Sequence, residues 1–391
     1  MNKRHFIQSL AASAVMAWLA PASAQGTVNA VMDADAVARQ YAAIVYANYS
    51  DTLDAALVMQ TAIQAFVTKP SPTTLGAARD TWKAAREWYG QTEAYRFYGG
   101  PIDDEKGPEG RLNSWPLDES YVDYVKGKPQ SGIVNNRQIT ISKANLARLN
   151  ERGGEENIAA GWHAIEFLLW GQDQSETGPG DRSADDYVDG KAPNADRRRL
   201  YLVTVTELLI DDLRYLVNAW SPGSRNYRAS FEIGGIESVR KIIVGLGSLS
   251  RGELAGERME VALNTQDQED EHSCFSDNTH RDIVNNATGI QNVWLGRYKR
   301  ADGSVLQGPS LRDLVSAKDS ALAERTSNQI AGSVSAALAI HAPFDREIIG
   351  GRDAPGRQRV QATINSLVQQ SKDLVLAANA VGIQKLTLVQ P

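Results

Sequence analysis

Residues 200–217 read LYLVTVTELLIDDLRYLV, and their apolar side chains recur every three or four positions. The members of this stripe are Leu200, Val203, Leu208, Leu209, Leu213, Leu216 and Val217. This spacing places them on one face of an α-helix, whereas a half-buried strand would alternate apolar and polar residues. The stretch therefore predicts a long amphipathic helix that packs against a core.

The same helical spacing recurs on both sides of this stretch. Three further stripes are Val37, Tyr41, Ile44 and Val45; Ile236, Val239, Ile242, Ile243 and Leu246; and Ile364, Leu367, Val368 and Leu374. Runs with a period of two are nearly absent from the sequence. The pattern as a whole predicts an all-α protein built from helical bundles.

A break at Ser221-Pro222-Gly223 is the predicted boundary between two parts of the chain. The parts are an N-terminal half, residues 25–220, and a C-terminal half, residues 221–391. Residues 91–104 and 266–282 share an order of acids, an aromatic residue and more acids, which indicates a duplicated unit. We therefore expect two related helical-bundle halves packed together.

The first 24 residues have the pattern of a secretory signal peptide. Lys3 and Arg4 supply the positive start, Phe6 to Ala20 form an apolar stretch, and Ala22-Ser23-Ala24 is a small-residue cleavage site. The alternative, an N-terminal membrane anchor, would need a longer apolar stretch. The sequence predicts a periplasmic protein that does not span a membrane after signal removal.

Charge and cysteine content narrow the class of protein further. The net charge is -6 and the pI is about 5.5, so the chain lacks the basic face that phosphate backbones require, and nucleic acid is not an expected partner. Cys274 is the sole cysteine of the sequence, which leaves no internal disulfide. Its thiol is either a small buried apolar group or a soft metal ligand.

The stretch Gly161-Trp162-His163-Ala164-Ile165-Glu166 carries the clearest chemical signal. The helix predicted around it is apolar on almost every side, so it should be buried, together with the side chains of His163 and Glu166. These two residues are three positions apart and share one helix face. A buried carboxylate needs a cation, a proton or strong donors. Metal binding meets that need, and the alternative is a His–Glu pair that only stabilises the core.

Glu93 is a second unusual carboxylate. It lies at helical spacing from Trp82 and Tyr89, so it shares an apolar stripe with two large aromatic side chains. One interpretation makes Glu93 a metal ligand. The other pairs it with Arg86 or Arg96.

A third cluster lies between residues 267 and 282, where acids and two histidines are concentrated. Its candidate ligands are Asp270, His272 and His280. The spacing Glu-x-x-His, seen at Glu269 and His272, is also used by carboxylate-bridged di-iron bundles. The alternative interpretation is a solvated acidic loop.

Several catalytic motifs are missing from the sequence. It has no His-Glu-x-x-His, no Gly-x-Ser-x-Gly, no Walker phosphate loop and no Cys-x-x-Cys-His. A metal-binding protein that is not an enzyme is therefore expected.

The chain resembles the imelysin-like family, whose hallmark is a Gly-x-His-x-x-Glu motif, and within it the iron-regulated protein A group. The stretches that carry the resemblance are residues 161–166, Gln91-Thr92-Glu93-Ala94, Gly100-Pro101-Ile102-Asp103, Trp115-Pro116-Leu117-Asp118, Gly256-Glu257-Arg258-Met259 and residues 264–273. The resemblance implies an all-helical fold of two related halves with a site between them, and a role in iron uptake. It assigns that site to His163 and Glu166, with Glu93 from the earlier helix.

These observations combine into one functional prediction. We expect an exported iron-binding protein for uptake or delivery, with His163, Glu166, Glu93, Asp270, His272 and His280 as candidate ligands. Its partners would be a metal ion or chelate and an inner-membrane transport protein. Oxygen and imidazole ligands suit iron better than metals that prefer thiolates, and zinc and haem are the less favoured cofactors. The alternatives are a metallopeptidase, a haem-binding protein, a di-iron oxidase and a purely structural His–Glu pair.

Overall fold

The computed structural model describes residues 33–175 and 177–388, which are predominantly α-helical. In chain order the helices are α1 (Ala34–Thr68), α2 (Pro72–Thr92), α3 (Glu109–Leu112), α4 (Glu119–Val122), α5 (Gly132–Asn135), α6 (Lys143–Leu149), α7 (Gly161–Trp170), α8 (Ala195–Trp220), α9 (Tyr227–Phe231), α10 (Gly235–Ser248), α11 (Val261–Thr265), α12 (Thr279–Trp294), α13 (Leu311–Ser316), α14 (Ser320–Leu338), α15 (Asp345–Ile348) and α16 (Pro355–Ala380). The predicted all-α fold class is confirmed.

A π-helical segment, Leu249–Glu260, joins α10 directly to α11. Short 3-10 turns occupy Glu93–Tyr95, Ala184–Tyr187 and Gln268–Asp270. The strands β1 (Arg297–Lys299) and β2 (Val305–Gln307) form an antiparallel hairpin in which Tyr298 faces Leu306. The hairpin is anchored by Tyr298 and Arg300, which both donate hydrogen bonds to Asp51 of α1.

Local sequence signals explain where the first two helices begin. Asp33 caps α1 by accepting a hydrogen bond from the Ala36 amide. Ser71 and Thr74 form a reciprocal capping box at the start of α2, and Pro72 occupies its first turn. These caps satisfy backbone amides that lack partners within the helix.

The predicted apolar stripes lie on α1, α8, α10 and α16 and are mostly buried. Two residues depart from the prediction: Leu200 and Ile236 are 49% and 47% exposed. Both lie near the start of their helix. Near the start of α8 the buried residues are Leu202 and Val205, so the buried face does not include Leu200 as predicted.

Helices from before and after residue 220 pack against each other. Helix α1 contacts α2, α8 and α10, and α2 contacts α12, while α16 lies against α14, α10 and the π-helical segment. The described residues belong to one packed unit. The predicted halves, residues 25–220 and 221–391, and their relationship by duplication remain a prediction.

Residues 1–24, the predicted signal peptide, lie outside the described residues. Within residues 33–175 and 177–388, no helix has both the length and the apolar character required to cross a bilayer.

Candidate functional site

The glycine of the Gly-x-His-x-x-Glu motif positions helix α7. Gly161 has φ +86°, and a Cβ atom there would lie 2.4 Å from the Leu112 carbonyl oxygen. No side chain fits this close approach, so glycine lets α7 begin directly against the end of α3. All ten residues of α7 are buried, as the sequence predicted. The helix therefore carries its two polar side chains into the core.

His163 and Glu166 form a hydrogen-bonded pair inside this core. The His163 Nδ1 and Glu166 Oε2 atoms are 2.8 Å apart, and both side chains are at most 1% exposed. The other carboxyl oxygen, Oε1, accepts hydrogen bonds from the Ser276 amide at 3.0 Å and from its hydroxyl at 2.6 Å. The sequence did not single out Ser276.

Burial sets the charge of this pair. Burial raises the pKa of Glu166 to about 8, although Ser276 opposes the shift. Burial also lowers the pKa of His163 well below its usual range, and the nearby Arg86 charge lowers it further. At neutral pH the pair is a protonated carboxyl group beside a neutral imidazole. The Nε2 atom of His163 is buried and has no hydrogen-bond partner among the described residues.

His272 is held in a similar way by a second carboxylate. Its Nδ1 atom lies 2.7 Å from Asp282 Oδ2, which also accepts a hydrogen bond from the Ser273 hydroxyl. Burial raises the pKa of Asp282, but the Arg86 charge and the hydrogen bonds from His272 and Ser273 outweigh burial, and the pKa falls well below its usual range. Asp282 is therefore ionised, and His272 Nδ1 is the donor. Arg86 completes the group with an ion pair to Asp282 Oδ1 at 3.0 Å.

The two imidazoles lie next to each other. Their ring centroids are 4.7 Å apart with an interplanar angle of 74°. Burial lowers the pKa of His272 to about 3, and the Arg258 charge acts in the same direction, so this ring is neutral as well. Its Nε2 lone pair receives only a long contact of 3.5 Å from the Asn113 amide. Metal-binding histidines commonly have this arrangement, in which a carboxylate fixes Nδ1 and leaves Nε2 available.

Glu93 lies beside the histidines but is engaged by arginines. Its Oε2 atom accepts from Arg96 at 2.8 Å and from Arg258 at 2.7 Å, and Oε1 accepts from Asn113 at 3.3 Å. Burial raises the pKa of Glu93, but the charges of Arg96 and Arg258 outweigh it and lower the pKa to about 2. The predicted ion pair with Arg96 is present, whereas Arg86 pairs with Asp282.

Asp270 and His280 are candidate ligands from the same cluster as His272. Asp270 ends a 3-10 turn, and His280 is in the first turn of α12. No hydrogen bond or ring contact within residues 33–175 and 177–388 connects either residue to His163 or His272. Burial lowers the pKa of His280, and the Arg281 charge lowers it further. Metal binding by these two residues remains a prediction without geometric support.

The predicted di-iron spacing requires one continuous helix through the acidic cluster, and that helix is not present. Gln266 ends α11 with φ +57°, and turns occupy the chain until α12 begins at Thr279. Glu269 and His272 therefore do not share a helix face. His272 reaches the site because the chain folds back, not because of helical periodicity.

The site as it stands is closed and internally paired. Among the described residues, no three His, Cys, Asp or Glu side chains converge closely enough to hold a metal ion. The sequence did not indicate the contributions of Asn113, Arg258 and Asp282 to this site, or the pairing of Arg86 with Asp282. Arg258 lies in one of the stretches that carry the family resemblance, and Asp282 lies in the acidic cluster. The residues around Asn113 contain no pattern that indicates its position between Glu93 and His272.

Comparison with known proteins places this arrangement in a family. The imelysin profile, named peptidase M75, matches residues 45–374, which is most of the chain. The chain belongs to the imelysin family. The predicted membership is confirmed.

Two relatives extend the comparison. This imelysin-family chain is 27% identical to iron-regulated protein A of Synechococcus elongatus over 310 residues, which cover 79% of the chain and 76% of that protein. It also superimposes on a crystal structure of a protein described as an iron-regulated protein A precursor from Parabacteroides distasonis. That match has a TM-score of 0.67 at 20% identity and covers 92% of this chain and 97% of the other. The second comparison supports the fold.

Proposed function

We propose that this imelysin-family protein binds iron as cargo and serves in its uptake or delivery. The observation that carries the proposal is the pair of adjacent, buried, neutral imidazoles, each hydrogen-bonded at Nδ1 to an acidic side chain, Glu166 or Asp282. Imidazole with carboxylate is a ligand set that suits iron, and the similarity to iron-regulated protein A supports an iron-related role.

The Nε2 atoms of His163 and His272 would be the first ligands. His272 offers a lone pair already, because ionised Asp282 accepts its Nδ1 proton. His163 offers one when its Nε2 proton leaves and Nδ1 donates to Glu166. In this proposal Glu166 orients His163, which differs from its predicted role as a direct ligand. Glu93 shares the Asn113 amide with His272 and would bind only after Asn113 and an arginine release it.

Iron must reach a pair that is buried. His163 and His272 are 1% and 2% exposed. The half-buried Trp115 lies against His272, with ring centroids 5.7 Å apart, and its indole donates to the Glu271 carbonyl at 2.6 Å. In this proposal iron enters when Trp115 and the turn-rich segment 266–278 move away from His272.

Export through the segment 1–24, a periplasmic location and a membrane transport partner belong to the same proposal. They rest on the sequence pattern of the first residues. Cell fractionation with an antibody against the protein would test the location. Recovery of the protein in the cytoplasm at full length would contradict export.

The metal content of the purified chain tests the central claim. The protein is stripped with a chelator, loaded with Fe²⁺ without oxygen, and analysed for iron by mass spectrometry. We expect iron near one equivalent in the wild type and a large loss in His163→Ala and His272→Ala. His341→Ala is the matched control, because the His341 side chain is 67% exposed and lies 3.8 Å from Glu347, which is not part of the histidine pair.

Two outcomes would overturn the proposal. One is equal iron in the wild type and both variants, with all proteins folded by circular dichroism. The other is cleavage of peptide substrates by the loaded wild type but not by His163→Ala, which would favour the peptidase activity in the family's name. Zinc loading and a haem titration followed at the Soret band distinguish the remaining ligands.

A further inference from the structure

A cavity of about 380 Å³ lies where α7 ends. This volume falls within the range of about 300–1,000 Å³ that is usual for small-molecule sites. Two aromatic residues, Tyr124 and Trp170, line the cavity. Four charged residues line it as well, two basic and two acidic: Lys126, Asp173, Asp181 and Arg182. None of them belongs to the histidine pair, so this cavity is a separate place in the fold.

Arg182 has donors that no described residue accepts. Its side chain is only 2% exposed, and Nη1 donates to Asp123 Oδ2 at 2.7 Å and lies 3.5 Å from Asp186 Oδ2. The buried Nε atom has no hydrogen-bond partner within the described part of the chain. The hydrogen bonds that the guanidinium donates to described residues start at Nη1, so Nη2 has no partner among them either. Nε and Nη2 together form the edge that binds a carboxylate through two parallel hydrogen bonds.

Gly171 places no side chain against this edge of Arg182. The residue follows α7 directly, lines the cavity and has φ +72°, a conformation that favours glycine. A Cβ atom there would lie 3.3 Å from Arg182 Nε, so a side chain at this position would crowd the edge. The rings of Tyr124 and Phe167, whose centroids are 5.0 and 5.1 Å from Arg182 Cζ, hold the guanidinium in place. The edge is therefore fixed beside the cavity.

Asp173 supplies the opposite charge. The residue is 5% exposed, and its Oδ1 atom accepts from the Ser175 amide at 2.9 Å. Among residues 33–175 and 177–388, no Lys or Arg forms an ion pair with it. Burial raises the pKa of Asp173 to about 6, so the carboxylate is still ionised at neutral pH. A buried carboxylate of this kind is stabilised by a cation that reaches it.

The charges of the lining select the class of ligand. A simple anion at Arg182 would be repelled by Asp173 and Asp181, which line the same cavity. A simple cation at Asp173 would be repelled by Arg182 and Lys126. A ligand with one group of each sign compensates both buried charges, and the two aromatic residues suit an apolar side chain on that ligand.

We propose that this cavity binds an α-amino acid with an apolar side chain. Its carboxylate accepts hydrogen bonds from Nε and Nη2 of Arg182, its ammonium group donates to Asp173, and its side chain packs against Trp170 and Tyr124. The site binds this ligand without changing it and does not depend on iron at the histidine pair. Helix α7 starts with the Gly-x-His-x-x-Glu motif and ends at this cavity, so a bound ligand also restrains the end of the helix that carries the motif.

Isothermal titration calorimetry of the full chain with three probes tests this assignment. The probes are L-phenylalanine, 3-phenylpropanoate, which lacks the ammonium group, and 2-phenylethylamine, which lacks the carboxylate. We expect saturable binding of L-phenylalanine. The Kd of each analogue should be higher by at least about tenfold, because a hydrogen-bonded charged group is missing from it.

Arg182→Lys tests the carboxylate end of the site. Lysine keeps a positive charge for Asp123 but lacks the two-donor edge, so the Kd of L-phenylalanine should rise by at least about tenfold. Arg198→Lys is the matched control, because Arg198 also donates to Asp123, at 2.6 Å from Nε, but does not line the cavity. It should bind L-phenylalanine as the wild type does.

Asp173→Asn tests the ammonium end. Asparagine keeps the shape of the side chain and an acceptor for the Ser175 amide but removes the negative charge. The Kd of L-phenylalanine should rise towards that of 3-phenylpropanoate, while 3-phenylpropanoate itself should bind no more weakly than before. Asp185→Asn is the control and should change neither Kd, because the Asp185 side chain is 60% exposed and does not line the cavity.

Three results would overturn the proposal. One is the absence of saturable binding with both L-phenylalanine and L-leucine. Another is 3-phenylpropanoate binding as tightly as L-phenylalanine, which would make the cavity a simple anion site. The third is equal weakening in Arg182→Lys and Arg198→Lys, which would mean that Arg182 acts only through Asp123. If Arg182→Lys fails to fold, Asp173→Asn and the three probes still decide.

Discussion

Arg258 donates to the Glu93 carboxylate at 2.7 Å, and each side chain is only 1% exposed. The π-helical segment supplies the arginine, and the end of α2 supplies the acid. Removing one partner of a buried ion pair leaves the other charge uncompensated, which typically lowers the free energy of unfolding by about 3–5 kcal/mol.

Arg258→Ala should therefore destabilise the protein by an amount of that order, measured by denaturant unfolding at pH 7. Arg240→Ala is the matched control, because its ion pair with Glu237 is exposed and worth less than about 1 kcal/mol. Similar losses in the two variants would show that the buried pair contributes no more than a surface pair.

Gly161→Ala should destabilise the fold through a steric clash as well as through its backbone conformation. Gly190 supplies the control, because it also has a positive φ, +79°, but nothing lies within 4 Å of a Cβ atom there. Both variants incur the conformational penalty of about 1–3 kcal/mol, and Gly161→Ala adds the contact with the Leu112 carbonyl. Equal losses in denaturant unfolding would argue against the close approach of α7 and α3.

Asp123 should make the protein's stability depend on acid pH. Burial raises the pKa of Asp123, but Arg182 and Arg198 outweigh burial and lower it below its ordinary value. A carboxylate with a lowered pKa stabilises the fold above its unfolded pKa, about 4, and this contribution is lost as pH falls through the folded pKa. Asp123→Asn should thus be less stable than the wild type at pH 7, and the difference should shrink below about pH 4.

Unfolding curves at several pH values check this expectation. The control is Asp185→Asn, because Asp185 pairs with Lys191 at the surface, where both side chains are more than half exposed. Its effect should be small at every pH. A difference between wild type and Asp123→Asn that stays constant from neutral to acid pH would contradict the linkage.

Trp115 should control the rate at which iron leaves the histidine pair. Its half-buried ring covers His272, so Trp115→Ala should speed the removal of bound iron by an external chelator, followed by absorbance in a stopped-flow instrument. Trp88→Ala is the control, because Trp88 packs against Tyr298 of the hairpin. Equal release rates in wild type and Trp115→Ala would exclude this side as the route.

The sequence predicted the all-α fold class and the buried helix that carries His163 and Glu166. His163 and Glu166 were recognisable because two polar residues stood on a helix that is otherwise apolar, and burial of both follows from that pattern. Periodicity is a local property of the sequence, so the burial of His163 and Glu166 could be predicted from their own helix alone.

The partners of these residues could not be predicted from the sequence around them. Glu166 and Ser276 are separated by 110 positions, and Glu93 and Arg258 by 165. Such contacts depend on how helices pack, which spacing along one helix does not encode. In the acidic cluster the di-iron interpretation lacks the helix that it requires, because left-handed and 3-10 conformations at residues 266–270 interrupt the chain. His272, a candidate from this cluster, lies beside His163 in the buried group, and its role as a ligand stays a prediction.

The π-helical segment Leu249–Glu260 limits which changes of length the chain can accept. A π-helix closes each hydrogen bond over one residue more than an α-helix does. Each residue of an α-helix turns the chain by about 100°, so an insertion or deletion that the segment does not absorb would rotate the side chains that follow it. Insertions and deletions in this region would therefore redirect Arg258 away from Glu93, while substitutions on the exposed face would be tolerated. In a variant library, this segment should accept point changes and reject changes in its residue count.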